Sequence, residues 1–253
     1  MNLVEYLDKI TDNLFEPFFI YFENRKDLKR VNCLAREYSV PKTLIDNFFN
    51  YFKLLKTQCF PSKKHGKLYD KANIPEVKFN TLLLLRVYQL TNEFMKATSH
   101  EMTHSCLALT RSMYELLILV IYSSHNPEAI EVISNEQEHD LRCARMINKL
   151  KSQKVQYFVK QMNEYGEISR IDIIPELYAD YEYLSKLIHS FKKETYMSNI
   201  LYSMDSSKDE AIILGNWFLS YNDKRFIVFK FISYMNLAVQ DLENIRNKIL
   251  YEE

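Results

Sequence analysis

The chain has 253 residues, with 33 Lys+Arg against 33 Asp+Glu, so its formal charge at neutral pH is zero. That balance argues against a general nucleic-acid coat or a polybasic membrane binder, and a hydrophobic content of 47% excludes wholesale disorder. Only three glycines occur, at positions 66, 166 and 215. Phosphate loops, Rossmann turns, nucleophile elbows and β-hairpins use Gly where φ must be positive or the backbone must approach a ligand, so none of them fits comfortably.

The expected fold is all-α, a long-helix bundle of about seven to nine helices with no significant sheet. Residues 2–24 carry apolar and acidic positions at helical spacing, and a second, short helix is expected over 25–38. Ser39 and Pro41 open a third helix to Gln58. The stretch from Cys59 to Pro75, rich in lysine and containing Gly66, reads as a loop. It marks a weak boundary between an N-terminal helical extension (1–60) and the main bundle (76–253). From Glu76 to Tyr122 nothing interrupts the helical pattern, which predicts one very long helix or two abutting ones.

Asn126-Pro127-Glu128 supplies a cap, a first-turn proline and a first-turn acid for a helix running to Lys160, with a break near 151. Gly166 ends that region, and Pro175-Glu176 opens a helix to Tyr196. Residues 198–208 form a polar, Ser-rich loop, and Asn222-Asp223 caps the final helix. The four cysteines lie far apart without a C-x-x-C pair, which fits reduced thiols. Acidic Glu5 and Asp8 stand where a signal peptide carries basic residues. The longest apolar run, Leu116 to Tyr122, is far short of the roughly 20 residues that span a bilayer. The expected location is cytoplasmic, away from membranes.

Two constellations could carry chemistry. His100-Glu101-Met102-Thr103-His104 fits H-E-x-x-H, whose histidines on one helix face would bind zinc while the glutamate activates water. Glu136, in Asn135-Glu136-Gln137-Glu138-His139-Asp140, would be the third ligand, as in thermolysin-like peptidases. Against this, Thr98-Ser99 and Ser105 flank the motif where zincins usually carry apolar residues, and no substrate-aligning strand is visible. The leading expectation therefore assigns no metal or other cofactor, with zinc as the alternative.

The second constellation is Arg111-Ser112-Met113-Tyr114-Glu115, followed much later by Tyr181-x-x-Leu184-Ser185-x-x-x-His189-Ser190. The pair R-S-x-[FY]-E and Y-x-x-L-S-x-x-x-H resembles the signature of an all-helical bacterial domain family. Through it the chain is similar to the HEPN group of RNA- and nucleotide-acting proteins of defence and toxin loci. The resemblance spans residues 80–200 and leaves the N-terminal third unexplained. It implies an RNA or nucleotide partner, with Arg111, Glu115, Ser185 and His189 as site residues. A homodimer or a partner protein of the same system is the expected protein partner. Catalytic members carry R-x(4–6)-H on one helix, and no arginine here has a histidine at that spacing, so Arg and His would have to come from different helices.

On one continuous helix His100, His104, Arg111 and Glu115 would fall within about 60° of one line. Met95, Met102, Leu109, Met113 and Val120 would lie opposite, as the core stripe. Arg111 could then hold a phosphate, Glu115 could orient it, and His189 could transfer protons near neutral pH. The same pattern also suits a wet helix face or an architectural ion pair. A further alternative is a non-enzymatic interaction module. Finally, residues 142–160 carry six bases (Arg142, Arg145, Lys149, Lys151, Lys154, Lys160) and no acid, which fits either a phosphate-touching helix or a solvated one.

Overall fold

Helices begin largely where the sequence places proline or acid in a first turn, and three of them end where the backbone turns left-handed. The computed structural model describes residues 25–58, 75–130, 142–162, 168–188 and 220–251. Among these residues are α1 (Arg25–Glu37), α2 (Lys42–Gln58), α3 (Pro75–Ser99), α4 (Thr103–His125) and α5 (Cys143–Ser152). A hairpin, β1 (Phe158–Met162) and β2 (Ile168–Asp172), then precedes α6 (Ile173–Ile188) and α7 (Tyr221–Tyr251). Among the described residues the fold is all-α apart from this two-stranded sheet. The expected helix 2–24, the lysine-rich loop before Pro75 and the Ser-rich loop at 198–208 lie outside the described residues.

Three helices terminate in one way. Ser39, Glu101 and Lys154 have φ of 56°, 58° and 52°. Each such amide bonds the carbonyl three residues back, and the following amide reaches five back: Glu101 to Thr98 at 3.2 Å and Met102 to Ala97 at 2.9 Å, for example. This is the Schellman closure, which ordinarily takes glycine at its left-handed position. With glycine nearly absent, ordinary side chains occupy it, each at a cost of about 1 kcal/mol.

The closure at Glu101 decides between the two forms expected for 76–122 and corrects the single stripe drawn along it. The segment from 76 to 122 is two helices, and the register resets between them. Met95, Met113 and Val120 are buried as expected, but Met102 is exposed and Leu109 only half-buried. A second correction concerns residues 126–160. Residues 128–130 are helical and Arg142 is extended; α5 ends at Ser152, near the expected break at 151, but Phe158 onward is strand and not helix. In the hairpin Val159 pairs with Ile171, and Tyr157 anchors its base by donating to Asp241 Oδ2 at 2.6 Å. Strands of five residues are too short for the period-two pattern to stand out, and packing of Val159 against the core favours them.

The core lies between α3, α4 and α7, the last two packing most extensively on each other. Phe94 stacks on Phe231 with ring centroids 3.7 Å apart, and Phe52 stacks on Tyr88 at 5.6 Å. Helices α1 and α2 feed Val31, Ala35, Phe48, Phe52 and Leu55 into the same core. The segment Thr103–His125 is long and apolar enough to cross a bilayer by composition, but 61% of that window is buried inside the bundle. It is the central core helix, and its flanking polar residues hide a longer apolar stretch than its uninterrupted run suggests.

Among the described residues the buried charges are Lys230 and Asp180. Lys230 Nζ on α7 lies 2.8 Å from Asp180 Oδ2 and 3.0 Å from Glu176 Oε1, both on α6. Tyr234, one turn beyond Lys230, donates to the same Asp180 oxygen at 2.7 Å. Burial raises the Asp180 carboxyl above its ordinary range, against the opposing charge and hydrogen bond of Lys230.

Candidate functional site

Arg111 sits at the middle of α4, where that helix passes α6. Its Nε donates to Glu115 Oε1 at 2.8 Å, one turn along. Its Nη1 reaches across to α6 and donates to Ser185 Oγ at 3.0 Å and to the Tyr181 carbonyl at 3.2 Å. The guanidinium lies over the Tyr181 ring, 4.3 Å from its centroid, with the Tyr114 ring at 5.5 Å. The structure thus brings together three of the four expected residues, Arg111, Glu115 and Ser185. His189 lies outside the described residues.

The Arg111 side chain is 15% exposed and that of Glu115 48%. Burial works against the arginine's charge, but the hydrogen bond and charge of Glu115 outweigh it and lift the guanidinium above its usual value. A guanidinium has five N–H groups. Three are used by Glu115, Tyr181 and Ser185, and Nη2 makes no hydrogen bond among the described residues.

A cleft of about 560 Å³ opens beside Arg111. Arg86 from α3 and Arg142, the residue preceding α5, also line it, together with Cys143, Tyr181 and Glu115. Among the described residues, three arginines and one carboxylate line this cleft. The first turn of α5 has no side-chain cap and no acid, so its backbone dipole adds to the positive potential. Burial pushes the Cys143 thiol up to about 12, with Arg111 pulling the other way, so it remains a neutral wall.

Arg86 is far from the other arginines in sequence, and only tertiary packing joins it to them. Arg142 is visible in the basic run of 142–160, but that run is not one functional face. Lys149 donates to the Tyr122 hydroxyl at 3.0 Å, and Lys151 lies over the Tyr178 ring, 3.3 Å from its centroid.

The H-E-x-x-H residues are arranged differently from the helical expectation. His100 and Glu101 occupy the turn between α3 and α4, and His104 lies in the first turn of α4. The shared i,i+4 face on which zinc binding was argued does not form. Glu101 is exposed and accepts from Arg30 at 2.7 Å. Glu136, the third expected ligand, lies outside the described residues. Among the described residues no three His, Cys, Asp or Glu side chains are grouped as a metal site would need.

Comparison with family models, with curated proteins and with solved structures finds no match to this chain.

Proposed function

We propose that the Arg111 cleft binds the phosphate of RNA or of a nucleotide, in a cytoplasmic HEPN-like protein of a bacterial defence or stress system. The observation that carries this reading is the pre-set guanidinium of Arg111. Glu115, Ser185 and the Tyr181 carbonyl fix its plane, Nη2 is left over, and Arg86 and Arg142 flank the same cleft. A fork held in this way meets a phosphate without first giving up rotamer freedom. Tyr181 supplies a ring beside the cleft on which a base can stack. In this reading Ser185 and Glu115 are positioning residues, and His189 provides the proton-transfer group at neutral pH.

The test is fluorescence anisotropy with a labelled single-stranded RNA 12-mer and with labelled ATP, at low and moderate salt. The native chain should bind one of them, and Arg111→Ala should weaken that binding by about tenfold or more while circular dichroism stays unchanged. For RNA, the slope of log affinity against log salt should fall by about 0.7 for each phosphate that the variant no longer neutralises. Equal binding by native and Arg111→Ala proteins, or none by the native chain, overturns the reading and leaves Arg111 as an architectural tie.

A further inference from the structure

A second cavity, of about 360 Å³, lies on the side of α6 that meets α7, away from the Arg111 cleft. Its walls come from α2, the hairpin, α6 and α7, with Leu44, Val159, Ile171 and Leu177 among the apolar ones. Its polar wall is the Lys230–Asp180–Tyr234 cluster, a buried ion pair that an apolar pair of similar volume could replace at no loss of stability. Volume and mixed lining are those of a small-molecule site rather than a packing fault.

The interior donors of this cavity are largely used: Tyr234 on Asp180, Ser233 on the Phe229 carbonyl, Asn236 Nδ2 on the Leu44 carbonyl, and Lys230 on both Glu176 and Asp180. Acceptors are left over. Both bonds that Asp180 accepts land on Oδ2. Asn236, only 6% exposed, has an Oδ1 that is fully buried without a partner among the described residues, so it acts from behind the cavity wall rather than at its surface. Its amide cannot be flipped to cure this, because Nδ2 is required by the Leu44 carbonyl. Lys160 lines the cavity from the exposed hairpin edge, so among the described residues its lining carries two carboxylates, Glu176 and Asp180, with Lys230 inside and that lysine at the periphery.

An acceptor-rich floor under apolar walls suits a ligand with several donors and an apolar body. We infer that this cavity binds a small organic amine, its ammonium on Asp180 and its apolar part against α2 and the hairpin. An ammonium has three donors and no acceptor, the complement of what the cavity offers.

Isothermal titration with tryptamine tests this, beside tryptophol, its neutral alcohol analogue, and indole-3-acetate, its acidic one. Two variants accompany the native chain: Asp180→Asn, and Asn47→Trp, which fills the cavity from an exposed position on α2. Tryptamine should bind saturably and about tenfold or more tighter than either analogue, and both variants should lose that preference. If Asp180→Asn fails to fold, Asn47→Trp decides alone, since its site is on the surface. No saturable binding of tryptamine overturns the inference. So does equal or tighter binding of indole-3-acetate, which would make Lys230 the head-group partner. Undiminished binding in a folded Asn47→Trp variant overturns it as well.

Discussion

Arg111 and Ser185 stand 74 residues apart in the chain and 3.0 Å apart in space, joined by a hydrogen bond from Nη1 to Oγ. The bond ties α4 to α6 at a half-buried point and makes the guanidinium's orientation a property of the fold. A double-mutant cycle in urea should therefore give a coupling of about 0.5–1.5 kcal/mol between Arg111→Ala and Ser185→Ala. Ser185→Ala alone should cost about 1 kcal/mol, because Arg111 keeps the Tyr181 carbonyl and Glu115 as partners. Strict additivity would mean that the hydroxyl does not hold the arginine.

The buried ion pair is the place where a single substitution should be most damaging. Lys230 is 11% exposed and Asp180 8%. Lys230→Met strands the Asp180 carboxylate among apolar neighbours, and the expected loss is about 3–5 kcal/mol at pH 7. Without its cation the buried carboxyl holds a proton more tightly in the folded chain than in the unfolded one. The folded state then binds more protons, so the penalty should shrink as pH falls toward 5. Replacing both partners, Lys230→Met with Asp180→Leu, should recover most of the loss. Thermal unfolding of the native chain and of both variants at pH 5 and pH 7 checks all of this; a penalty independent of pH, or a double variant no better than Lys230→Met, contradicts it.

The helices were legible in the sequence for reasons that the structure repeats. Pro41 immediately precedes α2 and Pro75 opens α3, Glu76 and Glu176 sit in first turns, and the ends of α1 and α2 fall within a residue of expectation. The break at Glu101 was not legible, because a reader looks for Gly or Asn where a helix closes and finds Glu. The same holds for Lys154, which closes α5 before the hairpin. Of the candidate site, Arg111, Glu115 and Ser185 could be read from two short motifs and helical periodicity. Arg86 and the Lys230–Asp180 cluster could not, since each depends on which helices become neighbours.

That closure carries a prediction of its own. Lys154 holds φ of 52° with its side chain exposed. Glycine adopts this conformation without a Cβ clash, so Lys154→Gly should stabilise the chain by about 1 kcal/mol, less the small gain in unfolded-state entropy. For a chain of this size that corresponds to a rise in Tm of about 2–4 °C. Lys151→Gly, within the same helix, is the control and should lower Tm instead. A fall in Tm for Lys154→Gly would show that its side chain contributes something the backbone argument omits.

The bundle should weaken on the alkaline side before any ligand site is considered. Burial raises the thiols of Cys106 and Cys143 from an ordinary value near 9.0 to about 12. Burial and the Asp223 carboxylate, to which its hydroxyl donates, raise the Tyr183 phenol to about 12 as well. Each group is an acid held neutral by the fold. Above its unfolded value the unfolded chain has released a proton that the folded chain keeps, so the folded state binds more protons and stability falls as pH rises. The contribution is intact below pH 9 and is lost progressively toward pH 12, at about 1.4 kcal/mol per pH unit for each buried thiol past its unfolded value and by less for the more solvent-screened Tyr183 phenol. Urea midpoints between pH 8 and 10.5 should therefore decline with a slope that steepens above pH 9. Cys106→Ala, although less stable at pH 7 through the cavity it leaves, should show a shallower decline than the native chain. Parallel curves for the two proteins would mean that the Cys106 thiol is not held neutral by its surroundings.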